Sequence, residues 1–299
     1  LLAMMAGKLT CVPHRIYTVT GLRYQGAQGM LRWILMTMER ITCFCATKII
    51  PEGNGVKMAL EHDHITKKPL KVVLNGNING IDTEYFSAES VARVDKEQPT
   101  QAEVANKRAA IRASLGLSTD DFAFVFVGRI VGDKGMNELA ACMRKLQTDQ
   151  PQCKLILVGS FETELDPLND DNEQYFKTSP NVKFVGYQTD VRPYLLAADA
   201  LVFPSYREGF PNVVMQAGAM GLPSIVNEII VDGTNGKIIP SKDEAALLAA
   251  IEFFLQQRDA VGTMAAMARP MIQQRYEQEK VWQALLAEYK ALEPMNQNR

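Results

Sequence analysis

Two hydrogen-bonding side chains, Glu208 and Gln216, stand eight residues apart in the stretch YREGFPNVVMQAGAMGLPSI. The stretch is typical of a strand-to-helix junction, with Pro211 early in the helix, where no amide partner is needed. Helix N-termini present free amides and a positive dipole end to anions. Two such side chains at this spacing suit a ligand with a sugar at each end of a diphosphate. The alternatives are that Glu208 only favours the helix dipole and that Gln216 is a satisfied core amide.

A basic pair follows another apolar run, in the sequence VGRIVGDKG. Arg129 offers a planar fork of donors that matches phosphate oxygens, and Lys134 adds a compact positive charge. Gly128 allows the backbone to come close to a ligand. We expect these residues to hold a diphosphate, because ligands of α/β domains bind at the carboxyl ends of strands. The alternative is that both cations are solvated charges beside a tight turn.

Further strand-end residues, Gly159, Val185 and Tyr187, could read the edge of a nucleobase, although each alone is a weak signal. The sequence has no Gly-x-Gly-x-x-Gly fingerprint, no Walker loop and no pair of aspartates at i and i+2. A metal-held diphosphate is therefore not indicated. The three histidines, His14, His62 and His64, do not suggest a metal site.

Composition restricts the class of protein. The chain has 299 residues, 47% hydrophobic, with a net charge of -2 and a pI near 6.0, which argues against a nucleic-acid binder. Five cysteines without zinc-site spacing indicate a reducing cytosol. The apolar stretch 29–50 is interrupted by four charges, which argues against a membrane span. It could still dock on a membrane surface, or be a core or interdomain helix.

The elements that must position these residues form an alternating pattern from residue 121 onward. Helices are predicted over 136–147, 191–198 and 212–220, between apolar strands over 122–127, 154–158, 182–185, 200–203, 224–226 and 237–239. This pattern predicts a parallel, doubly wound α/β sheet. The first ninety residues give about half of a second α/β domain, with a helix over 29–46 and strands over 15–19, 48–50 and 71–74. A linker over 87–100 and helices over 102–115 and 281–292 complete the prediction.

The ordered motifs resemble those of retaining GT-B glycosyltransferases of family 4, of the bacterial capsular polysaccharide or lipid-linked oligosaccharide type. From residue 72 onward the resemblance rests on NGNINGIDTEYF, VFVGRIVGDKG, KLILVGS, NVKFVGY, YLLAADALVFPSYREGFPNVVMQAGAMGLPSIV and NEIIVDGTNGKIIP. As an ordered set the motifs are highly specific. The resemblance implies two Rossmann-like doubly wound domains. The chain does not begin with methionine and opens inside an apolar segment, so we expect the amino-terminal domain to be incomplete.

The resemblance also implies a role for each matching residue. Glu208, Arg129 and Lys134 would be catalytic, with Glu208 on the donor sugar and the two cations on the pyrophosphate. Donor binding would also involve Gly128, Gly159, Val185, Tyr187, Gly209, Phe210, Pro211, Asn212, Val213 and Gln216. Thr20, Gly21 and Asn75 would lie on the acceptor side, and no residue would bind a metal.

The sequence departs from the family pattern at several places. Gln216 replaces the second glutamate of the family's E-x7-E pattern, so we expect altered affinity for ribose hydroxyls rather than loss of function. Thr20 stands where relatives often carry histidine. The segment after Val226 is shorter than in relatives, and the glycine-rich loop that faces donor and acceptor is missing.

The implied domains are an acceptor-side domain over 1–90, a donor-binding domain over 101–275, and a terminal helix over 276–299 that packs back toward the first domain.

The implied activity is transfer of a hexosyl or N-acetylhexosaminyl unit from a nucleotide-diphosphate sugar, UDP-sugar favoured, with retention of configuration. The acceptor would be a glycan or a polyprenyl-linked glycan in surface polysaccharide biosynthesis. No cofactor or metal is expected, and the location would be cytoplasmic, with peripheral membrane contact. A nucleotide-sugar 2-epimerase and a non-catalytic nucleotide-sugar binder are the alternatives.

Overall fold

The computed structural model describes residues 1–95, 97–162, 164, 166–227 and 229–292. In chain order its strands are β1 Ile16–Val19, β2 Lys48–Pro51, β3 Phe122–Val127, β4 Cys153–Val158, β5 Val182–Gly186, β6 Ala200–Phe203, β7 Ser224–Val226 and β8 Gly236–Ile238. Its helices are α1 Leu2–Leu9, α2 Gly29–Cys45, α3 Asn54–His62, α4 Ala88–Ala92, α5 Gln101–Ser114, α6 Met136–Asp149, α7 Asp170–Thr178, α8 Arg192–Ala197, α9 Asn212–Ala219, α10 Glu244–Gln256, α11 Arg258–Tyr276 and α12 Gln278–Lys290.

The chain divides into two compact units. The first contains Leu1–Gly80, Glu208–Pro211 and Arg275–Arg299, and the second contains Ile81–Arg207 and Asn212–Gln274. The domain boundaries predicted from the sequence, at residues 90, 101 and 275, stay a prediction. What the sequence did not indicate is that the short segment Glu208–Pro211 packs with the first unit.

The second unit is built on six parallel strands in the order β5-β4-β3-β6-β7-β8. Strand β3 (FAFVFV) is almost completely buried, as expected for an apolar strand covered on both faces. From β3 the chain adds β4 and β5 toward one edge of the sheet, and from β6 it adds β7 and β8 toward the other edge. The adjacent strands β3 and β6 therefore form the topological switch point, at which α/β sheets bind ligands. The predicted doubly wound sheet is confirmed in this unit.

Helix α5 secures the opposite end of this sheet. It begins with a capping box between Thr100 and Glu103. The buried Arg112 guanidinium donates hydrogen bonds to the carbonyl oxygens of Ala197, Ser118 and Asp121 at 2.9, 2.9 and 2.7 Å. These bonds fix the loops that enter β3 and β6, and thereby the two strands whose carboxyl ends form the switch point.

The first unit has a smaller parallel sheet. Strands β1 and β2 pair in parallel with Val19 opposite Pro51, and helices α2 and α3 supply residues to the core beside them, including Cys43, Val56 and Leu60. Helix α12 belongs to the same unit, where the Glu288 carboxylate accepts from Lys48 Nζ at 2.6 Å and also pairs with Lys71.

Two predictions for the early part of the chain are wrong. No strand forms over 71–74, because only Leu70 makes an isolated bridge, to Ile49, and Leu74 adopts a left-handed φ of 51° that a strand cannot accommodate. The predicted linker 87–100 contains helix α4. Its N-terminus is capped by the Ser87 side chain, which accepts a hydrogen bond from the Ser90 amide at 3.0 Å.

Candidate functional site

The carboxyl ends of β3 and β6 bring two predicted phosphate-binding loops together in the second unit. Lys134, in the loop after β3, has its Nζ atom 3.5 Å from Oγ of the buried Ser205, which follows β6. The carbonyl oxygen of Asp133 accepts a hydrogen bond from the Tyr206 amide at 2.9 Å. Backbone and side-chain bonds therefore fix the Lys134 loop to the loop that follows β6.

Arg129 stands at the same sheet edge, directly after Gly128. Its guanidinium is half exposed and donates to the Glu162 carboxylate at 3.1 Å. An exposed ion pair contributes about 0–1 kcal/mol, so the guanidinium can exchange this carboxylate for a phosphate at small cost. The sequence did not indicate Glu162, since it lies in a loop 33 residues from Arg129.

The Tyr206 side chain anchors the loop that follows β6. Its hydroxyl donates to the Glu138 carboxylate of α6, with distances of 2.7 and 2.8 Å to the two oxygens. Burial and this hydrogen bond raise the pKa of Tyr206 above its usual range. The hydroxyl therefore stays protonated and serves as a donor that anchors the loop to α6. Sequence reasoning missed this pair, although the tyrosine lies inside the motif that carries Glu208.

Helix α9 begins at Asn212, directly after Pro211. Asn212 is exposed, Val213 is buried, and the helix is covered on most of its surface. Gln216 is the polar exception, because it is half-buried and its side chain makes no hydrogen bond to any residue that the structure describes. These contacts do not support the alternative of a satisfied core amide, and the ribose-binding role of Gln216 stays a prediction.

The ends of β4 and β5 complete this edge of the sheet. Gly159 has a φ of 148°, and a Cβ there would lie 1.8 Å from the Gly128 carbonyl oxygen, so only glycine permits this close approach of the two strand ends. Beyond β5, Val185 is half-buried, whereas Tyr187 is 73% exposed. The structure thus places all three predicted base-reading residues at one edge, with an aromatic ring open to solvent.

The segment that carries Glu208 packs on the first unit. A Cβ on Gly209 would lie 1.9 Å from the Thr20 carbonyl oxygen, and the Phe210 ring lies against Gly53 and, edge to face at 5.5 Å, against Tyr276. Glu208 itself is half-buried. The structure therefore brings the predicted sugar-binding segment to the end of β1, where the predicted acceptor-side residue Thr20 stands.

The other predicted acceptor-side residues differ in their surroundings. A Cβ on Gly21 would meet no atom within 4 Å, so this position is open. Asn75 Nδ2 donates to the Arg275 carbonyl oxygen at 3.4 Å.

One acidic residue at the same edge was missed by the sequence analysis: Glu52 follows β2, is 5% exposed, and has a pKa raised by burial to about 7.

Within the ranges that the structure describes, no group of three or more histidine, cysteine or acidic side chains stands in an arrangement that could hold a metal ion. No helix in those ranges combines the length and the apolar character that a membrane span requires.

Comparisons with known proteins connect this geometry to one family. The family model "Glycosyl transferases group 1" matches residues 121–257, which include β3 to β8. The capsular polysaccharide biosynthesis glycosyltransferase CapM of Staphylococcus aureus is 28% identical over 296 residues, which cover 97% of this chain and 73% of CapM. An Escherichia coli protein named UDP-Gal:alpha-D-GlcNAc-diphosphoundecaprenol alpha-1,3-galactosyltransferase is 25% identical over 77% of this chain and 55% of its own length.

Among solved structures, Anabaena HepE in complex with UDP-glucose superposes with a TM-score of 0.77 at 18% identity, covering 97% of this chain and 76% of HepE. At this identity the likeness shows the fold alone. The chain is therefore similar in sequence to group 1 glycosyltransferases and has the α/β fold with parallel sheets of GT-B glycosyltransferase structures.

Proposed function

We propose that this protein is a retaining glycosyltransferase of family 4 that moves a hexosyl or N-acetylhexosaminyl unit from a UDP-sugar to a glycan or lipid-linked acceptor in surface polysaccharide biosynthesis. The observation that carries the proposal is the pair of cationic strand-end residues, Arg129 and Lys134, at the switch point between β3 and β6. The names of CapM and of the E. coli galactosyltransferase support the choice of donor and acceptor.

The chemistry follows from the charge that develops on the leaving group. As the bond between the sugar and the diphosphate breaks, negative charge accumulates on the nucleoside diphosphate. Arg129, Lys134 and the backbone amides at the start of α9 stabilise that charge more in the transition state than in the ground state. Glu208 positions the sugar and favours its positive character, and Gln216 binds the ribose hydroxyls. The proposed reaction requires no metal, so chelation by EDTA leaves the rate unchanged.

Helix α2 supports peripheral contact with a membrane that carries the acceptor. Its exposed large apolar side chains are Met30, Leu31, Trp33, Ile34, Met38, Ile41 and Phe44. The Lys8 ammonium lies 3.4 Å from the centroid of the Phe44 ring, so a positive charge lies beside these apolar side chains. Such a helix suits an anionic bilayer surface. Co-sedimentation with anionic vesicles, expected to weaken in Trp33→Ser, tests the contact.

The transfer assay uses the purified chain, individual UDP-sugars and a polyprenyl-diphosphate-linked sugar acceptor, with product identified by mass spectrometry. Acceptor-dependent UDP release is the expected result. Replacing Glu208 by Gln should lower kcat by about 10²–10³, while nucleotide affinity changes little. Unchanged turnover in the Glu208→Gln variant would contradict the role given to this residue.

The same assay separates the alternatives. An epimerase would interconvert the donor sugar without an acceptor, and CapM and the E. coli relative, both named as glycosyltransferases, give this reading no support. A non-catalytic binder would bind the donor without any turnover. Thr20 and Gln216 are the two residues that keep this second alternative open, since the family pattern has histidine and glutamate in their places.

A further inference from the structure

The loop after β6, residues 204–207, is held by two side chains from the ends of the neighbouring strands. Phe203, the last residue of β6, stands in register with Val226, the last residue of β7. Asn227 is the first residue beyond β7, and Ser241 follows β8. The short segment after β7 therefore begins with an amide side chain at the same edge of the sheet as the loop.

These two side chains hold consecutive carbonyl oxygens of the loop. Asn227 Nδ2 donates to the Ser205 carbonyl oxygen and to Ser241 Oγ, the latter at 3.2 Å. The Ser241 hydroxyl donates in turn to the Tyr206 carbonyl oxygen at 3.2 Å. Ser205 is 0% exposed, so water has little access to replace the amide if Asn227 is lost. The loop therefore depends on Asn227 and Ser241 for its position.

The loop held in this way is the one on which the Lys134 loop packs. Besides the backbone bond between the two loops, Lys134 Nζ lies 3.5 Å from Ser205 Oγ. Gly135 has a left-handed φ of 72°, and a Cβ there would lie 2.2 Å from the Pro204 carbonyl oxygen. Because the two backbones are in direct contact, a displacement of the 204–207 loop also displaces the Lys134 ammonium.

We propose that Asn227 and Ser241 are positioning residues for Lys134: they hold the 204–207 loop, and the loop sets the position of the ammonium. The diphosphate-binding role of Lys134 belongs to the proposed function, so this inference rests on it. Neither positioning side chain needs to touch the ligand. Loss of Asn227 should weaken binding of a nucleoside diphosphate much more than that of the monophosphate, because only the diphosphate carries the second phosphate that the ammonium would bind.

Calorimetric titration with UDP and with UMP tests the positioning role. Asn227→Ala should bind UDP about tenfold more weakly than the wild type, with UMP affinity nearly unchanged. The matched control is Asn106→Ala, which removes an exposed amide from α5 and should bind both nucleotides as the wild type does. An equal loss of UDP and UMP affinity in Asn227→Ala, or no loss of UDP affinity, would overturn the proposal.

Ser241→Ala provides a second test, which stands even if Asn227→Ala does not fold, because Ser241 is exposed. This variant should show the same selective loss, of about threefold. The double variant Asn227→Ala/Ser241→Ala should bind UDP as weakly as Asn227→Ala alone, since both side chains act through one loop. Losses that multiply in the double variant would contradict a shared route to Lys134.

Hydrogen–deuterium exchange of the 205–207 amides tests the structural part without a nucleotide. We expect about tenfold faster exchange in Asn227→Ala than in the wild type and in Asn106→Ala. Equal exchange in all three proteins would show that Asn227 does not hold the loop. If the wild type binds neither UDP nor UMP, the proposed function fails, and the exchange measurement still decides whether Asn227 holds the loop.

Discussion

At the scale of the residue, Arg129 shows how an ion pair can prepare a binding site. Its guanidinium is oriented by Glu162 at 3.1 Å, but both side chains remain partly exposed. A phosphate can accept two hydrogen bonds from the guanidinium and carries more negative charge than the carboxylate. Glu162 therefore competes with the diphosphate for Arg129, and this competition determines part of the affinity for the nucleotide.

This competition gives a direct prediction for Glu162→Gln. Loss of the carboxylate frees the guanidinium, and an exposed pair worth about 0.2–1 kcal/mol corresponds to roughly two- to fivefold tighter binding of the nucleoside diphosphate. The gain should shrink at high salt, because screening already weakens the pair in the wild type. Calorimetric titration at two ionic strengths measures the effect, and weaker binding by the variant would show that Glu162 assists the ligand.

Gln216 gives a second prediction at this scale. Gln216→Ala should weaken nucleotide binding by about 1 kcal/mol, or roughly fivefold, since one neutral hydrogen bond to a ribose hydroxyl is lost. Gln216→Glu restores the acidic side chain of the family pattern and should bind at least as tightly as the wild type. Titration with UDP and with a deoxyribose analogue measures both, and equal affinity for all forms would remove Gln216 from the site.

At the scale of the element, the sequence predicted best what depends on local pattern. The continuous apolar run FAFVFV predicted β3 with its observed bounds, and the alternation of strands and helices predicted the parallel sheet. The false strand over 71–74 has the same apolar character. No strand forms there because Leu74 adopts a left-handed backbone conformation, which the apolar sequence does not indicate.

The segment 208–211 illustrates what the sequence could not predict. Spacing indicated one continuous site from Glu208 to Gln216, but the structure assigns the first to one unit and the second to the other. That assignment depends on contacts of Gly209 and Phe210 with residues about 160 to 190 positions earlier, such as Thr20 and Gly53. Glu52 escaped notice for the same reason, since only the fold shows that its carboxyl group is buried.

The close contact at Gly209 predicts the effect of a single methyl group. In Gly209→Ala, the new Cβ would lie 1.9 Å from the Thr20 carbonyl oxygen, so the segment must move. We expect a loss of about 1–3 kcal/mol in local stability, seen as faster amide exchange at 208–211 and lower kcat. Gly262→Ala is the matched control, because a Cβ there meets no atom within 4 Å. Equal exchange in both variants would show that the contact does not hold the segment.

At the scale of the whole molecule, the buried acid makes stability depend on pH. The pKa of Glu52 is about 7 in the folded protein and 4.5 for the ordinary side chain. Between these values the folded state retains a proton that the unfolded state releases, so this contribution to stability falls as pH rises and is complete below 4.5. The unfolding free energy of the wild type relative to Glu52→Gln should therefore drop by about 1–3 kcal/mol from pH 5 to pH 8. Chemical unfolding at both pH values measures the difference, and a constant difference would contradict the assignment.

The measurement that tests the central claim most directly is the change in Tm on adding UDP, GDP or ADP to the whole chain. A nucleotide at a hundred times its Kd should add about 2.7 kcal/mol to the unfolding free energy. We predict that one nucleotide, UDP, raises the Tm of the wild type and of the control Lys107→Ala/Lys145→Ala, in which two exposed cations of the second unit are removed. It should leave the Tm of Arg129→Ala/Lys134→Ala unchanged. An equal rise in that double variant, or no rise in the wild type with any nucleotide, would contradict a diphosphate site at the ends of β3 and β6.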